Sequence, residues 1–173
     1  MTYFTNMNIS NLIRYNDWWV TGHPRKELLM PYKRPQFKKM MEYINDRQIL
    51  ILYGLRRVGK TTLLYQFIDE LLSRGVKAEH ILYFSFDEIE TKIDDLILAH
   101  EENILRSPIG DAGKIYLILD EVQKAKDWEN RVKIFYDLHP NIKFIISGPR
   151  PLMLKEGPER HLQGAFIPFI LAH

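Results

Sequence analysis

The fold turns on QILILYGLRRVGKTTLLYQFIDELLSRG, residues 48–75. It opens on a continuous apolar run, QILILY (48–53), as expected of a strand buried on both faces. Gly54-Leu55-Arg56-Arg57-Val58-Gly59-Lys60-Thr61 follows and matches G-x-x-x-x-G-K-[ST] at every fixed position. Leu63/Leu64, Phe67/Ile68 and Leu71/Leu72 then recur every four residues, which predicts an amphipathic helix with Arg74 in its last turn and Gly75 closing it. A chain that leaves a strand, wraps round a phosphate and enters a helix needs glycine at both ends of the wrap, because a side chain there would block the approach. Successive N–H groups then point inward, and the helix N-terminus adds partial positive charge. Gly54 to Thr62 are therefore the expected nucleotide-binding residues. Lys60 is expected to reach the β- and γ-phosphates, and Thr61 to offer its hydroxyl to Mg²⁺.

Outward from this stretch, strands and helices alternate. HILYFSF (80–86), KIYLILD (114–120), IKFIIS (142–147) and AFIPFIL (165–171, broken by Pro168) read as strands. Residues 91–106 read as a helix with Ile93, Leu96, Ile97, Ile104 and Leu105 inward. A second begins after an Asp127 N-cap, with Trp128, Val132, Phe135 and Leu138 on one face. Pro35 suits the first turn of another, with Phe37, Met40, Met41 and Ile44 as its apolar face. This alternation predicts an α/β fold, a parallel sheet covered by helices on both faces. Residues 1–34 are aromatic-rich and punctuated by prolines, and read as an irregular N-terminal arm lying over a core of residues 35–173.

A phosphate loop needs a second acid for the metal's shell, and IYLILDEVQ (115–123) supplies one. Asp120 ends an apolar strand, where ligands of open α/β sheets lie, and is expected to hold Mg²⁺ together with Thr61. Glu121 follows directly and is the natural base for polarising an attacking water. Its presence favours water over a small-molecule acceptor as the attacking group. The bland alternative is a solvated acidic turn. Ser147, at the end of its strand in FIISGP (144–149), either joins Glu121 and Lys60 as a catalytic residue reading the γ-phosphate or forms a Ser-Gly turn. Asp87 and Glu88 end another strand on the same rim.

The 173 residues are enough for one domain with a real core, and 46% hydrophobic with 27% charged residues is ordinary for a globular protein. A net charge of +2 argues for no particular nucleic-acid partner. The absence of cysteine excludes disulfides, thiolate metal sites and cysteine nucleophiles. The six histidines follow no metal-ligand spacing, so no structural metal is expected. With neither a signal-peptide pattern nor a membrane-length apolar run, a cytoplasmic location and no membrane partner are expected.

Taken together, NDWW (16–19), KRPQF (33–37), GLRRVGKTTLL (54–64), ILYFSFDE (81–88), LILDEVQ (117–123), the Trp128 helix, ISG (146–148), LKEGPE (154–159) and PF (168–169) resemble the archaeal-type (prokaryotic) AAA-like ATPases, related to the STAND branch of P-loop NTPases. The resemblance covers most of the chain. It implies a P-loop NTPase of the ASCE type with sheet order 5-1-4-3-2, ATP and Mg²⁺ as ligands, and hydrolysis driving a change in an attached or partner effector. It also implies a C-terminal lid or winged-helix region after residue 173. The chain departs from the family at Pro149-Arg150-Pro151, where a serine-rich run is usual, and at Gly164-Ala165, where an arginine is usual. Arg150 and Arg160 are the substitutes available for that arginine, and neither matches the motif.

Several features keep two readings. Arg56 and Arg57 either stabilise phosphate charge, in this subunit or across a subunit contact, or are solvated charge on the loop crest. Trp18 and Trp19 either stack on adenine or cover core surface. Lys33, Arg34, Lys38 and Lys39 either meet nucleic acid or form a solvated face. For the whole protein, an ATPase driving an effector stands against a nucleotide-operated switch that holds ATP or ADP with little turnover, with a small-molecule kinase a weaker third.

Overall fold

A computed structural model of the protein describes residues 7–149 and 164–172. β1 (Ile49–Gly54), β2 (Ile81–Ser85), β3 (Ile115–Asp120), β4 (Ile142–Gly148) and β5 (Phe166–Leu171) form one sheet in the order β2-β3-β4-β1-β5. Every neighbouring pair is parallel. This is the order 5-1-4-3-2 read from the other edge.

Strict alternation along the strands feeds two cores. Ile49, Ile51 and Tyr53 of β1 pack with α1 (Ile9–Tyr15), α5 (Ile93–His100) and α6 (Trp128–Leu138) on one face. Leu50 and Leu52 pack with α3 (Pro35–Glu42) and α4 (Lys60–Ser73) on the other. Near-continuous apolar strands follow directly, since neither face of the sheet meets water. α4 ends as its sequence predicts. Gly75 takes the left-handed conformation (φ +87°) and its N–H donates to the Leu72 carbonyl, while Val76 donates to Leu71.

From residue 7 on, the N-terminal segment is not irregular. It forms α1, the short α2 (Trp18–Thr21) and a 3₁₀ turn over Lys26–Leu28. Its polar side chains finish the sheet's open edge at β2. The Asn16 amide donates to the Leu12 and Tyr83 carbonyls at 2.8 and 2.9 Å, and its oxygen accepts from the Tyr83 N–H at 2.7 Å. One side chain thus stands in for a sixth strand. Both indole N–H groups of Trp18 and Trp19 donate to the Ile81 carbonyl. Of the two readings of this tryptophan pair, covering the core is the one observed. At the opposite edge, Gln36 and Arg34 donate to the Ile170 and Ala172 carbonyls of and just beyond β5. Pro168 is tolerated there because β5 is an edge strand.

Asn16→Ala should cost about 2–4 kcal/mol, because it leaves a buried N–H and two carbonyls without a partner. Chemical denaturation would measure it. A change under half a kilocalorie would mean that water replaces the amide at this edge.

Other differences from the sequence reading have local causes. The helix expected over 91–106 runs from Ile93 to Leu105, with α5 passing directly into a π-helical turn over Glu101–Leu105 that ends at left-handed Arg106. The change follows His100, which is fully buried, stacks on Trp19 and donates from Nε2 to the Glu79 carbonyl at 2.8 Å. Burial holds its imidazole neutral, with a pKa pulled down to about 4. Leu138, expected inward, is exposed at the end of α6. Asp127 stands at the N-cap position in a left-handed conformation, but its carboxylate accepts from the Asn130 side chain instead of capping a backbone N–H. Lys143, inside an apolar strand, is also buried. Its ammonium donates to the Tyr43, Asp46 and Gln48 carbonyls and so pins β4 to the turn that enters β1.

Candidate functional site

The site lies at the C-terminal ends of β1, β3 and β4, where Gly54, Asp120 and Ser147 meet. Gly54 is dictated by packing. A Cβ there would sit 2.7 Å from the Leu171 carbonyl oxygen and 2.7 Å from the Val58 side chain. Val58 itself is buried and anchors the loop in the core. Arg57 (φ +62°) and Gly59 (φ +93°) are both left-handed, and these two reversals deliver the chain into α4 at Lys60. No side chain at the N-cap position satisfies the first N–H groups of this 14-residue helix, which leaves them open to an anion.

Lys60 is almost fully buried. Its ammonium donates to the Gly54 and Leu55 carbonyls at 3.0 and 2.9 Å and lies 3.5 Å from Glu121 Oε1. Thr61 Oγ donates to Asp120 Oδ2 at 2.6 Å. The Tyr83 hydroxyl donates to the same oxygen at 2.9 Å, and Ser147 Oγ donates to Oδ1. Burial first, and then the charge of Asp120, push the Tyr83 phenol well above its ordinary pKa, so it stays a donor. Glu121 is left-handed (φ +53°), an uncommon conformation for a non-glycine residue. This conformation sends its N–H to Ser147 Oγ at 3.1 Å, while Gln123 donates to its Oε2 at 2.6 Å.

The structure therefore brings Lys60, Thr61, Asp120, Glu121 and Ser147 into one hydrogen-bonded cluster. A cavity of about 800 Å³ opens over it, with Tyr15, Leu28, Asp87 and Glu88 on the far wall. Arg56 and Arg57 are exposed and line this cavity, and neither makes an ion pair among the described residues. Thr62 lines it too, whereas Leu55 projects from the loop crest. Ser147 is fully buried, with its hydroxyl between Asp120 and the Glu121 N–H. Its place is beneath the two acids and not against the cavity. On the far wall Asp87 pairs with Lys124, and Glu88 accepts from the Tyr15 hydroxyl.

Of the basic cluster, Lys33 pairs with Glu70 and lies over the Phe37 ring, and Arg34 holds the β5 edge. Arg150 and Arg160 lie outside the described residues. Three residues at the site have no role in the sequence analysis. Tyr83 lay inside an apolar strand with nothing local to mark it. Gln123 stood in the DEVQ box without a role, although its spacing from Glu121 was a usable signal. Tyr15 reaches the cavity wall only through the packing of α1.

A loop with an open helix N-terminus, a buried lysine and two adjacent acids is the arrangement of a P-loop nucleotide site. A family model described as AAA domain matches residues 46–172. The chain belongs to the AAA domain family. It is thus an AAA-like P-loop NTPase domain. An uncharacterized protein of Methanocaldococcus jannaschii is 37% identical over 131 residues, covering 70% of this chain and 26% of the relative. An uncharacterized protein of Haemophilus influenzae is 25% identical over 133 residues, covering 75% of this chain and 32% of the relative. The AAA domain chain thus spans about a quarter to a third of the length of these relatives.

Two solved structures share the fold. One is a chain in the structure of Drosophila ORC bound to DNA, with TM-score 0.58, 19% identity, and 79% of this chain and 87% of that one covered. The other is C. elegans PCH-2, with TM-score 0.52, 14% identity, and coverage of 86% and 45%. Among the described residues, no helix of this AAA domain is long and apolar enough to cross a membrane.

Proposed function

We propose that this AAA domain binds ATP with Mg²⁺ and hydrolyses it, in the cytoplasm, to drive a conformational change in an attached domain or a partner effector. One observation carries the reading. The open N-terminus of α4 with Lys60 and the Asp120–Glu121 pair face a single cavity large enough for a nucleotide's phosphates. The motif residues support placing it with the archaeal-type, STAND-related members of the family.

In this reading the Gly54–Thr62 loop and the first N–H groups of α4 hold the phosphates. Lys60 exchanges its loop carbonyls and Glu121 for phosphate oxygens. Thr61 and Asp120 would hold Mg²⁺. They are hard oxygen donors already within one hydrogen bond of each other, which suits that ion. When bound, Mg²⁺ supplies neutralisation of the charge shared by the β- and γ-phosphates. Glu121, relieved of Lys60, accepts a proton from water at Oε1 while Gln123 keeps Oε2 in place. Ser147 positions both acids from below. Arg56 and Arg57 meet phosphate charge from the cavity's mouth.

Asp120→Asn should weaken Mg²⁺-ATP by about 10–100-fold and metal-free ATP much less, because its effect runs through the ion's shell. Titration calorimetry with Mg²⁺ and with EDTA separates the two. Equal weakening in both would argue against a metal role for Asp120.

The second reading, a nucleotide-held switch with little turnover, is favoured by one specific contact set. Both Glu121 carboxylate oxygens are engaged, by Lys60 and by Gln123. Steady-state phosphate release from the longer protein decides between the two.

A further inference from the structure

Tyr83 lies in the middle of β2, about 1% exposed, with its ring 4.8 Å from that of Tyr65 and 6.3 Å from that of Tyr15. Its backbone is clamped on both polar groups by Asn16. Ring and backbone are therefore fixed together, and the hydroxyl, beside that of Tyr65, is delivered to Asp120 Oδ2 at 2.9 Å. Among the described residues, the side chains of Thr61, Ser147 and Tyr83 donate to Asp120. Ser147 serves Oδ1. Thr61 and Tyr83 share Oδ2, and they differ in kind. Both line the cavity, but Thr61 stands on the first turn of α4, whereas Tyr83 is held in the sheet by Asn16.

If Thr61 turns its hydroxyl to a metal ion, Oδ2 keeps one fixed donor, the Tyr83 phenol. Without that donor, Ser147 alone would orient the carboxylate, which would be free to rotate about its Oδ1 contact. A carboxylate held at both oxygens presents its remaining lone pairs in one direction, which is how supporting partners orient a metal-shell acid.

We infer that Tyr83 is a positioning residue that fixes the Asp120 carboxylate for the metal–nucleotide complex, and that Asn16 ties this support to the N-terminal segment. The inference rests on the reading of Asp120 as the acid of the metal's shell.

Tyr83→Phe in the full chain keeps the ring and removes only the hydroxyl. Calorimetric titration with ATP plus Mg²⁺, and with ATP plus EDTA, would be run on the wild type, Tyr83→Phe, Asp120→Asn and the double variant. Tyr83→Phe is expected to weaken Mg²⁺-ATP about tenfold and to leave metal-free ATP within about twofold of the wild type. Combined with Asp120→Asn it should add no further loss of metal-dependent affinity, since both act through one carboxylate. A purely structural role would lower the thermal midpoint and shift both titrations alike. That result, or a wild-type Mg²⁺ preference in Tyr83→Phe, overturns the inference and leaves the reading of Asp120 standing. A wild type that binds ATP equally well with and without Mg²⁺ overturns both.

Discussion

Lys60→Ala is expected to abolish measurable binding of Mg²⁺-ATP. Lys60 is the buried cation of the loop, with its ammonium 2.9–3.0 Å from two loop carbonyls and 3.5 Å from Glu121. Without it, those two carbonyl oxygens and one carboxylate are left facing the place where phosphate charge must sit. A unit charge pair about 4 Å apart in a partly buried setting is worth about 4 kcal/mol, roughly a thousandfold in affinity. The new repulsion from Glu121 adds to that loss. Arg56 and Arg57 stand at the cavity's mouth and are exposed, so solvent screens any compensation they offer. The fold should survive, because the head group's partners, Gly54, Leu55 and Glu121, belong to neither core. Calorimetric titration of the variant beside the wild type, with thermal denaturation as a folding control, is the measurement. Wild-type affinity in a folded Lys60→Ala protein would rule out the phosphate-loop assignment.

What the sequence revealed and what it hid divide by the range of the interaction. The strand–loop–helix of residues 48–75 is written locally, in an apolar run, a glycine-bracketed motif and a four-residue repeat, and each part is found where it was expected. Asp120 and Glu121 were visible for the same reason, as polar residues breaking an apolar strand at its end. The sheet order came from the family resemblance and not from any residue pattern.

The hidden part is polar and long-range. Asn16 and Lys143 look like ordinary surface residues, yet each is buried and satisfies backbone groups far away in sequence, at Tyr83 for one and at Tyr43, Asp46 and Gln48 for the other. No periodicity announces such a contact, because only the packed chain brings those carbonyls together. Helix ends were misread on similar grounds. The 91–106 segment keeps its apolar period past His100, but its last turn, Glu101–Leu105, is π-helical, directly after the imidazole that bonds the Glu79 carbonyl. In the site itself, Ser147 was noticed for its place at a strand tip. Its orientation, under the acids instead of toward the cavity, depends on the left-handed backbone of Glu121, and nothing in the sequence marks that conformation.

Glu121→Gln is expected to separate holding from breaking. The amide has the shape of the carboxylate and can still accept from Gln123, so the turn after β3 and the Ser147 contact should persist. It carries no charge, so the 3.5 Å attraction to Lys60 is lost and the lysine is freer to meet phosphate. ATP affinity should therefore stay close to the wild type or rise slightly. Hydrolysis should fall, because an amide can orient a water but cannot take its proton. General-base contributions are about 10²–10⁴-fold, and the loss should be of that size wherever turnover is measurable. Lys60→Ala and Glu121→Gln then have opposite signatures, one losing the nucleotide and the other keeping it unbroken. Phosphate release and binding, measured separately on the longer protein and its two variants, give three distinguishable outcomes. Slow hydrolysis with intact binding in Glu121→Gln identifies the base. Wild-type hydrolysis in Glu121→Gln means that the proton goes elsewhere and Glu121 is a bystander. Negligible turnover in the wild type itself means that the carboxylate, held at one oxygen by Lys60 and at the other by Gln123, belongs to a switch that senses ATP without breaking it.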